Sequence, residues 1–247
     1  SQVGKVAQFE PLRKPIRKRA EEFEKHLKAT EPVQVEKLID FASIAWRRPL
    51  VADERATLKV LYRQLRGRGL SHDAAWRLLL ARVLVSANFL YKVEEPGEGQ
   101  AARPVNDWEL ASRLSYFLWS TLPDDSLRQA ARAGQLQDPG VVAAQAARIL
   151  DDPRIRGLAT EFAAQWVGIR GFDEHDEKNE KLYPEFAGLR GAMYEESVRF
   201  FEHVFRRDRR LLDLLDADYT FVNAELAKFY GLAGRTGGKL GGWWRVD

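Results

Sequence analysis

The densest clustering of ligand-type side chains lies in Phe172–Glu180, where Asp173, His175, Asp176 and Glu177 stand almost side by side. Oxygen donors at this density suit a hard cation such as Ca²⁺. The segment lacks the D-x-[DN]-x-[DN]-G order of an EF-hand loop, and a solvated polar loop explains the same composition. A second run, Leu212–Asn223, carries Asp213, Asp216 and Asp218. Asp216 and Asp218 begin like an EF-hand loop, but Phe221 stands where the turn glycine is required. A turn bonded by Asp218 and a helix capped by Asn223 is the simpler role. Glu195, Arg199 and Glu202 fall at i, i+4 and i+7, with Glu196 and His203 on a neighbouring line. Carboxylates so placed can do acid–base work in a cleft, and they also make ordinary ladders of ion pairs. Glu109, Arg113, Trp119 and Asp124, with Asp218 and His203, complete the side chains that could line a functional surface or cleft.

Most recognised constellations are missing. The sequence holds no H-E-x-x-H, G-x-S-x-G, Walker or G-x-G-x-x-G motif. A di-iron bundle needs Glu-x-x-His pairs, whereas the residues three before the four histidines are Phe23, Gly69, Phe172 and Phe200. With no cysteine in the chain, disulfides, thiolate zinc sites and covalent haem attachment by Cys-x-x-Cys-His are excluded within it. Two basic clusters, Arg13, Lys14, Arg17, Lys18, Arg19 and Arg206, Arg207, Arg209, Arg210, can meet phosphates. Glu21, Glu22, Glu24 and Asp208 interleave with them, and the net charge of +3 is too even to imply nucleic acid.

These side chains must be positioned by helices. Val35, Leu38, Ile39, Ala42 and Trp46 form one helical stripe after Pro32, and Leu58, Leu61, Tyr62 and Leu65 form the next. Ser71 can cap a third helix with Ala75, Leu78, Leu79, Arg82 and Val83 on its face. Asn106 and Glu109 have capping-box spacing ahead of Leu110, Leu114, Phe117 and Leu118. Pro123 opens a short helix, and Asp138-Pro139 and Asp152-Pro153 read as N-cap plus N1 pairs. The helix after Asp152 carries Ile155, Leu158, Ala159, Phe162 and Trp166 at core phase. A long helix led by Pro184 and a last one from Asn223 to Gly231 follow. The tryptophans, with Tyr116 and Phe117, read as packing anchors.

No run alternates for long enough to build a sheet, and no internal repeat of fixed period is present. The fold class expected is all-α, an irregular bundle of roughly ten helices in two packed sub-bundles. The organisation expected is a basic helical lead-in (1–34), a small helical domain (35–94), a linker, a larger helical domain (105–232) and a glycine-rich start of a following, truncated domain (233–247). The 247-residue length and 45% hydrophobic content allow a sizeable core. No apolar run reaches the roughly 20 residues of a membrane span. The Ser-Gln opening and the terminal Trp243-Trp244 read as marks of a segment from a longer protein.

Phe41–Leu50 followed by Leu84–Glu94 resembles one planctomycete-type domain of unknown function. Glu109–Asp125, Phe162–Gly168 and Leu211–Leu232 resemble a second, which normally follows it. Together they cover roughly residues 35–232. The resemblance implies a large exported multidomain protein, often cytochrome c-associated. It also implies an extracytoplasmic (periplasmic or cell-surface) setting, neighbouring domains of the same chain as partners, and a c-type haem in a neighbouring domain rather than here. It supplies no catalytic residues. The function expected is a non-catalytic helical scaffold and interaction segment. The alternative is part of the active-site wall of an exported oxidative or polysaccharide-degrading enzyme.

Overall fold

The computed structural model describes residues 2–92, 94, 103–174, 178–179, 181–232 and 242–247, with side chains from Leu12 onward. The chain divides into two units, Ser1–Gly97 and Glu98–Asp247. It is all-α apart from one short ribbon.

In the first unit α1 (Gln2–Ala45) is followed by α2 (Ala52–Gly67), α3 (His72–Leu84) and α4 (Ala87–Leu90). The predicted stripe Val35, Leu38, Ile39, Ala42 and Trp46 is buried, against Leu58, Leu79 and Val83. Pro32 does not open this helix but sits inside it. The carbonyl that loses its partner belongs to Lys28, on an exposed turn where water can solvate it. Ser71 caps α3 as expected, accepting from Ala74 N. Ala75, Leu79 and Val83 face the core, whereas Leu78 is exposed, about 100° away round the helix.

Arg47 ends α1 in the left-handed region (φ 60°) and is itself buried. Its guanidinium donates to the carbonyls of Asn88 (2.7 Å), Phe89 (3.2 Å) and Tyr91 (2.5 Å). One side chain thus satisfies acceptors that the short α4 cannot satisfy alone.

The second unit is built on α5 (Asp107–Trp119), α6 (Asp125–Arg132), α7 (Pro139–Asp151) and a continuous helical stretch over 153–166. That stretch runs through a 3₁₀ turn (Pro153–Ile155), α8 (Arg156–Leu158), a π turn (Ala159–Ala163) and α9 (Ala164–Trp166). The long α10 (Phe186–Arg206), α11 (Asp213–Asp216), β1 (Thr220–Val222), α12 (Ala224–Phe229) and β2 (Trp244–Val246) follow. β1 and β2 pair antiparallel, with Phe221 opposite Arg245. Val246 joins the core of this unit with Val222, Leu226 and Leu189. The other cores gather Trp119, Leu127, Ile149, Ile155 and Leu158, and Ala159, Ala163, Val198 and Phe201.

Two helix faces differ in part from those predicted. Ile155, Leu158 and Ala159 are buried, but Phe162 and Trp166 are exposed and Ala163 and Ala164 take the inner positions. The π turn between them adds a residue, which advances the helix by about 100°. On α5 the expected Leu118 is buried and Leu110 and Leu114 pack against the core, joined by Ala111, Ser115 and Trp119, and of the predicted face only Phe117 is turned outward. Asp124, not Pro123, starts α6, accepting from Leu127 N at 3.0 Å.

Candidate functional site

Both units start a helix with the same device. Arg48-Pro49 precedes α2 and Arg103-Pro104 precedes α5, each with a glutamate six residues after the arginine. The Arg48 guanidinium donates to Glu54 at 2.9 and 2.7 Å and to the Pro49 carbonyl at 3.1 Å. Glu54 also accepts from Val51 N at 3.0 Å. Arg103 repeats the pattern on Glu109 at 3.0 and 2.6 Å and on the Pro104 carbonyl at 2.9 Å. Glu109 accepts from Asn106 N at 2.8 Å, and Asn106 caps Glu109 N in return. Glu109 is therefore a capping residue inside a bidentate ion pair. The signal stands in the sequence as two Arg-Pro pairs at equal distance from a glutamate, a local pattern that no fixed repeat period reveals.

Trp119 and Asp124 meet in a second knot. The Trp119 indole is buried, donates to the Ile149 carbonyl at 2.9 Å, and lies under the Arg154 guanidinium, 3.5 Å from the ring centroid. Asp124 takes Arg148 bidentately at 2.8 and 3.1 Å while capping α6. Burial acts to raise the Asp124 pKa, but the Arg148 hydrogen bonds and the cap hold it below the ordinary carboxylate range. Asp152 beside it binds Arg154, which lowers its pKa to about 2. Glu109 and Trp119 sit ten residues apart on α5, about 15 Å along the axis, so they do not share one cleft. Arg113 is exposed between them, and Asp218 is exposed far along the sequence, before β1.

His203 lies in the third cluster. Its ring packs on Tyr219 (5.4 Å, 70°) and Phe221 (5.2 Å), and the Arg245 guanidinium lies 4.1 Å from the Tyr219 ring. Desolvation, then the charges of Arg245, Arg207 and Arg209, push the imidazole pKa down, against a smaller opposing effect of Asp213. His203 is thus kept neutral near pH 7. Among the described residues no carboxylate is hydrogen-bonded to it, so it is not set up as a catalytic dyad. Asp213 is the buried acid here, held by Arg209 and Arg210, each at 2.9 Å. Glu196 ties α10 to β1 and α12 by accepting from Thr220 (2.5 Å) and Tyr230 (2.8 Å).

The row on α10 is a network of ion pairs. Glu195 pairs with Arg199 and Arg156, and Glu202 with Arg206 and Arg156. Asp173 is exposed in a short 3₁₀ turn, whereas His175, Asp176 and Glu177 lie outside the described residues. Among the described residues no group of three metal-ligating side chains gathers, and no helix is long and apolar enough to cross a membrane. One cavity of about 320 Å³ is lined chiefly by Tyr183, Phe186, Leu189, Met193 and Phe229. Lys178 and Glu185 also line it, and among the described residues none of the side chains singled out as site candidates does.

The architecture defines a class: helical modules whose acids serve as caps, clasps and ion pairs around small separate cores. Residues 105–232 match the family described as PSD4, protein of unknown function (DUF1592), and the chain belongs to it. Residues 36–94 match the description PSD5, protein of unknown function (DUF1595). The two consecutive domains of unknown function expected from resemblance are therefore both present. No curated protein and no solved structure matches the chain.

Proposed function

We propose that the chain is a helical scaffold and interaction segment of a larger, exported, cytochrome-associated protein of planctomycete type, and that it performs no chemistry of its own. The observation that carries this reading is the surface around the π turn. Phe162 and Trp166 stack there at 6.5 Å and 11°, both more than half exposed. Large exposed apolar side chains grouped in this way mark contact surfaces. The engagement of Glu109, Trp119 and Asp124 in caps and packing supports the non-catalytic part. The exported setting, the neighbouring cytochrome domain and its c-type haem rest on the family resemblance.

The test is the intact parent protein, carrying Phe162→Ala with Trp166→Ala. Limited proteolysis between domains should accelerate while the melting temperature of the segment stays unchanged. An unchanged cleavage rate would remove the contact-surface argument. A haem spectrum of the parent decides the cytochrome assignment separately, since its absence would overturn that part.

The second reading, a wall of an exported oxidative or polysaccharide-degrading active site, draws on the apolar cavity. Met193→Trp would fill it. Loss of a parent activity with the fold retained would favour that reading over the scaffold.

A further inference from the structure

Residues 12–29 of α1 are exposed on every side, yet they are not uniformly polar. Leu12, Ile16, Ala20, Phe23 and Leu27 fall within about 80° of one another at 100° per residue. Phe23 and Ile16 are each more than three-fifths exposed. A narrow apolar stripe on an otherwise charged helix is the seam of a helix pair.

The order of residues along this seam is palindromic. Leu12 and Leu27 are equidistant from the midpoint between Arg19 and Ala20, and so are Ile16 and Phe23. An antiparallel pair with its two-fold axis at that midpoint sets Leu12 against Leu27 of the second copy, and Ile16 against Phe23. The charges on either side follow the same symmetry. One flank carries Arg13, Arg17, Glu24 and Lys28, and the other carries Arg19, His26 and Glu22, the last also 3.9 Å from Lys18 of its own helix. In an antiparallel pair like flanks face each other. Glu24 then falls between Arg13 and Arg17 of the second copy, and Glu22 lies within about 3 Å of axial offset from Arg19. A parallel pair would instead set Arg17 against Arg19 and Glu24 against Glu22, which repel. A lipid surface is less suited, because Glu21, Glu22 and Glu24 interrupt the basic face that anionic headgroups would need.

We infer that α1 dimerises the protein by antiparallel self-pairing of residues 12–27 across a two-fold axis between Arg19 and Ala20. This interface is independent of the Phe162–Trp166 surface and of the scaffold reading.

The test uses the whole chain. Sedimentation over a concentration series should pass from the 28.3 kDa monomer to twice that mass. Ile16→Glu with Phe23→Glu should hold it monomeric, with a melting temperature that no longer depends on concentration and equals that of the dilute wild type, because both residues are exposed in the monomer. Arg17→Glu and Glu24→Arg should each weaken the dimer about tenfold, and the double variant should restore it.

Because the chain has no cysteine, single spin-labelled cysteines report the register. Labels at Ala20→Cys should lie close together, and those at Leu27→Cys about 22 Å apart along the axis. Short distances at both positions mean a parallel pair and overturn the inference. A monomer at every concentration, a dimer indifferent to Ile16→Glu with Phe23→Glu, or seam-dependent binding to phosphatidylserine vesicles without dimerisation would also overturn it.

Discussion

Single side chains in this protein act mainly by what their size or charge excludes, and Gly157 is the clearest case. A Cβ built there would stand 2.8 Å from the Trp119 carbonyl oxygen and 3.2 Å from its carbon. Both are main-chain atoms at the end of α5 and cannot swing aside. Gly157→Ala should destabilise by about 1–3 kcal/mol, as overpacking does. Gly188→Ala, on an exposed turn of α10 with open space around it, should stabilise by about 0.5–1 kcal/mol. Equal effects from the two in urea unfolding would refute the close-approach argument.

His203 makes a different residue-scale prediction. Its folded pKa lies below 6.5 through desolvation and the nearby arginines. Just below pH 6.5 the unfolded chain therefore binds more protons, and stability rises with pH through that window. As pH falls through the folded-state pKa, this stability is lost. His203→Phe, which keeps the ring packing on Tyr219 and Phe221, should flatten the profile below pH 6.5. An unchanged slope would mean that another group titrates there.

At the scale of elements, the repeated Arg-Pro-to-Glu clasp offers an internal comparison. The bonding is the same in both copies, but the Glu54 side chain is 22% exposed and that of Glu109 8%. Removing either glutamate leaves an arginine that water still reaches, so the two differ by the screening of the pair, which is weaker around the better-shielded Glu109. Glu109→Ala should cost about 2–3 kcal/mol and Glu54→Ala about 1–2 kcal/mol, each through the lost cap and a screened ion pair. Chemical denaturation that ranks them in the reverse order would show that burial does not set the cost. Element starts were legible because caps are local chemistry: Ser71, Asn106, Asp138, Asp152 and Asn223 each bond a nearby amide. Helix phase after residue 158 was not legible, because the π turn at Ala159–Ala163 has no sequence mark and moves Phe162 and Trp166 off the predicted face. The ribbon was missed for a related reason. Three-residue strands carry too little alternation to detect, and β1 and β2 lie far apart in sequence. Of the candidate site, sequence named Glu109, Trp119, Asp124 and His203. It could not reveal that Arg148, Arg154 and Arg245 would gather around them, since those contacts come from tertiary packing, whereas the Arg103 contact to Glu109 is local and stands in the Arg-Pro spacing.

On the scale of the whole molecule, each unit owns the core that its helices need. In the first, Leu79 is fully buried with Ile39 and Val83. In the second, Leu127 is fully buried with Ile149 and Ile155. A helix set that buries its own apolar face should fold when expressed alone. Leu79→Ala in a 1–97 fragment, and Leu127→Ala in a 98–247 fragment, should each cost about 2–5 kcal/mol through the cavity left behind. If each core is self-sufficient, both unmutated fragments should melt cooperatively with helical circular dichroism, and each mutation should lower that midpoint. A fragment that shows helix without a cooperative transition would mean that its core is completed by residues outside it. The exposed stripe on α1 makes the first fragment the sharper case. Its midpoint should rise with concentration if the helix pairs, whereas Leu79→Ala should lower the midpoint at every concentration. Mass action acts on the dimer and the cavity acts on the core. The two effects are separable in one set of melts.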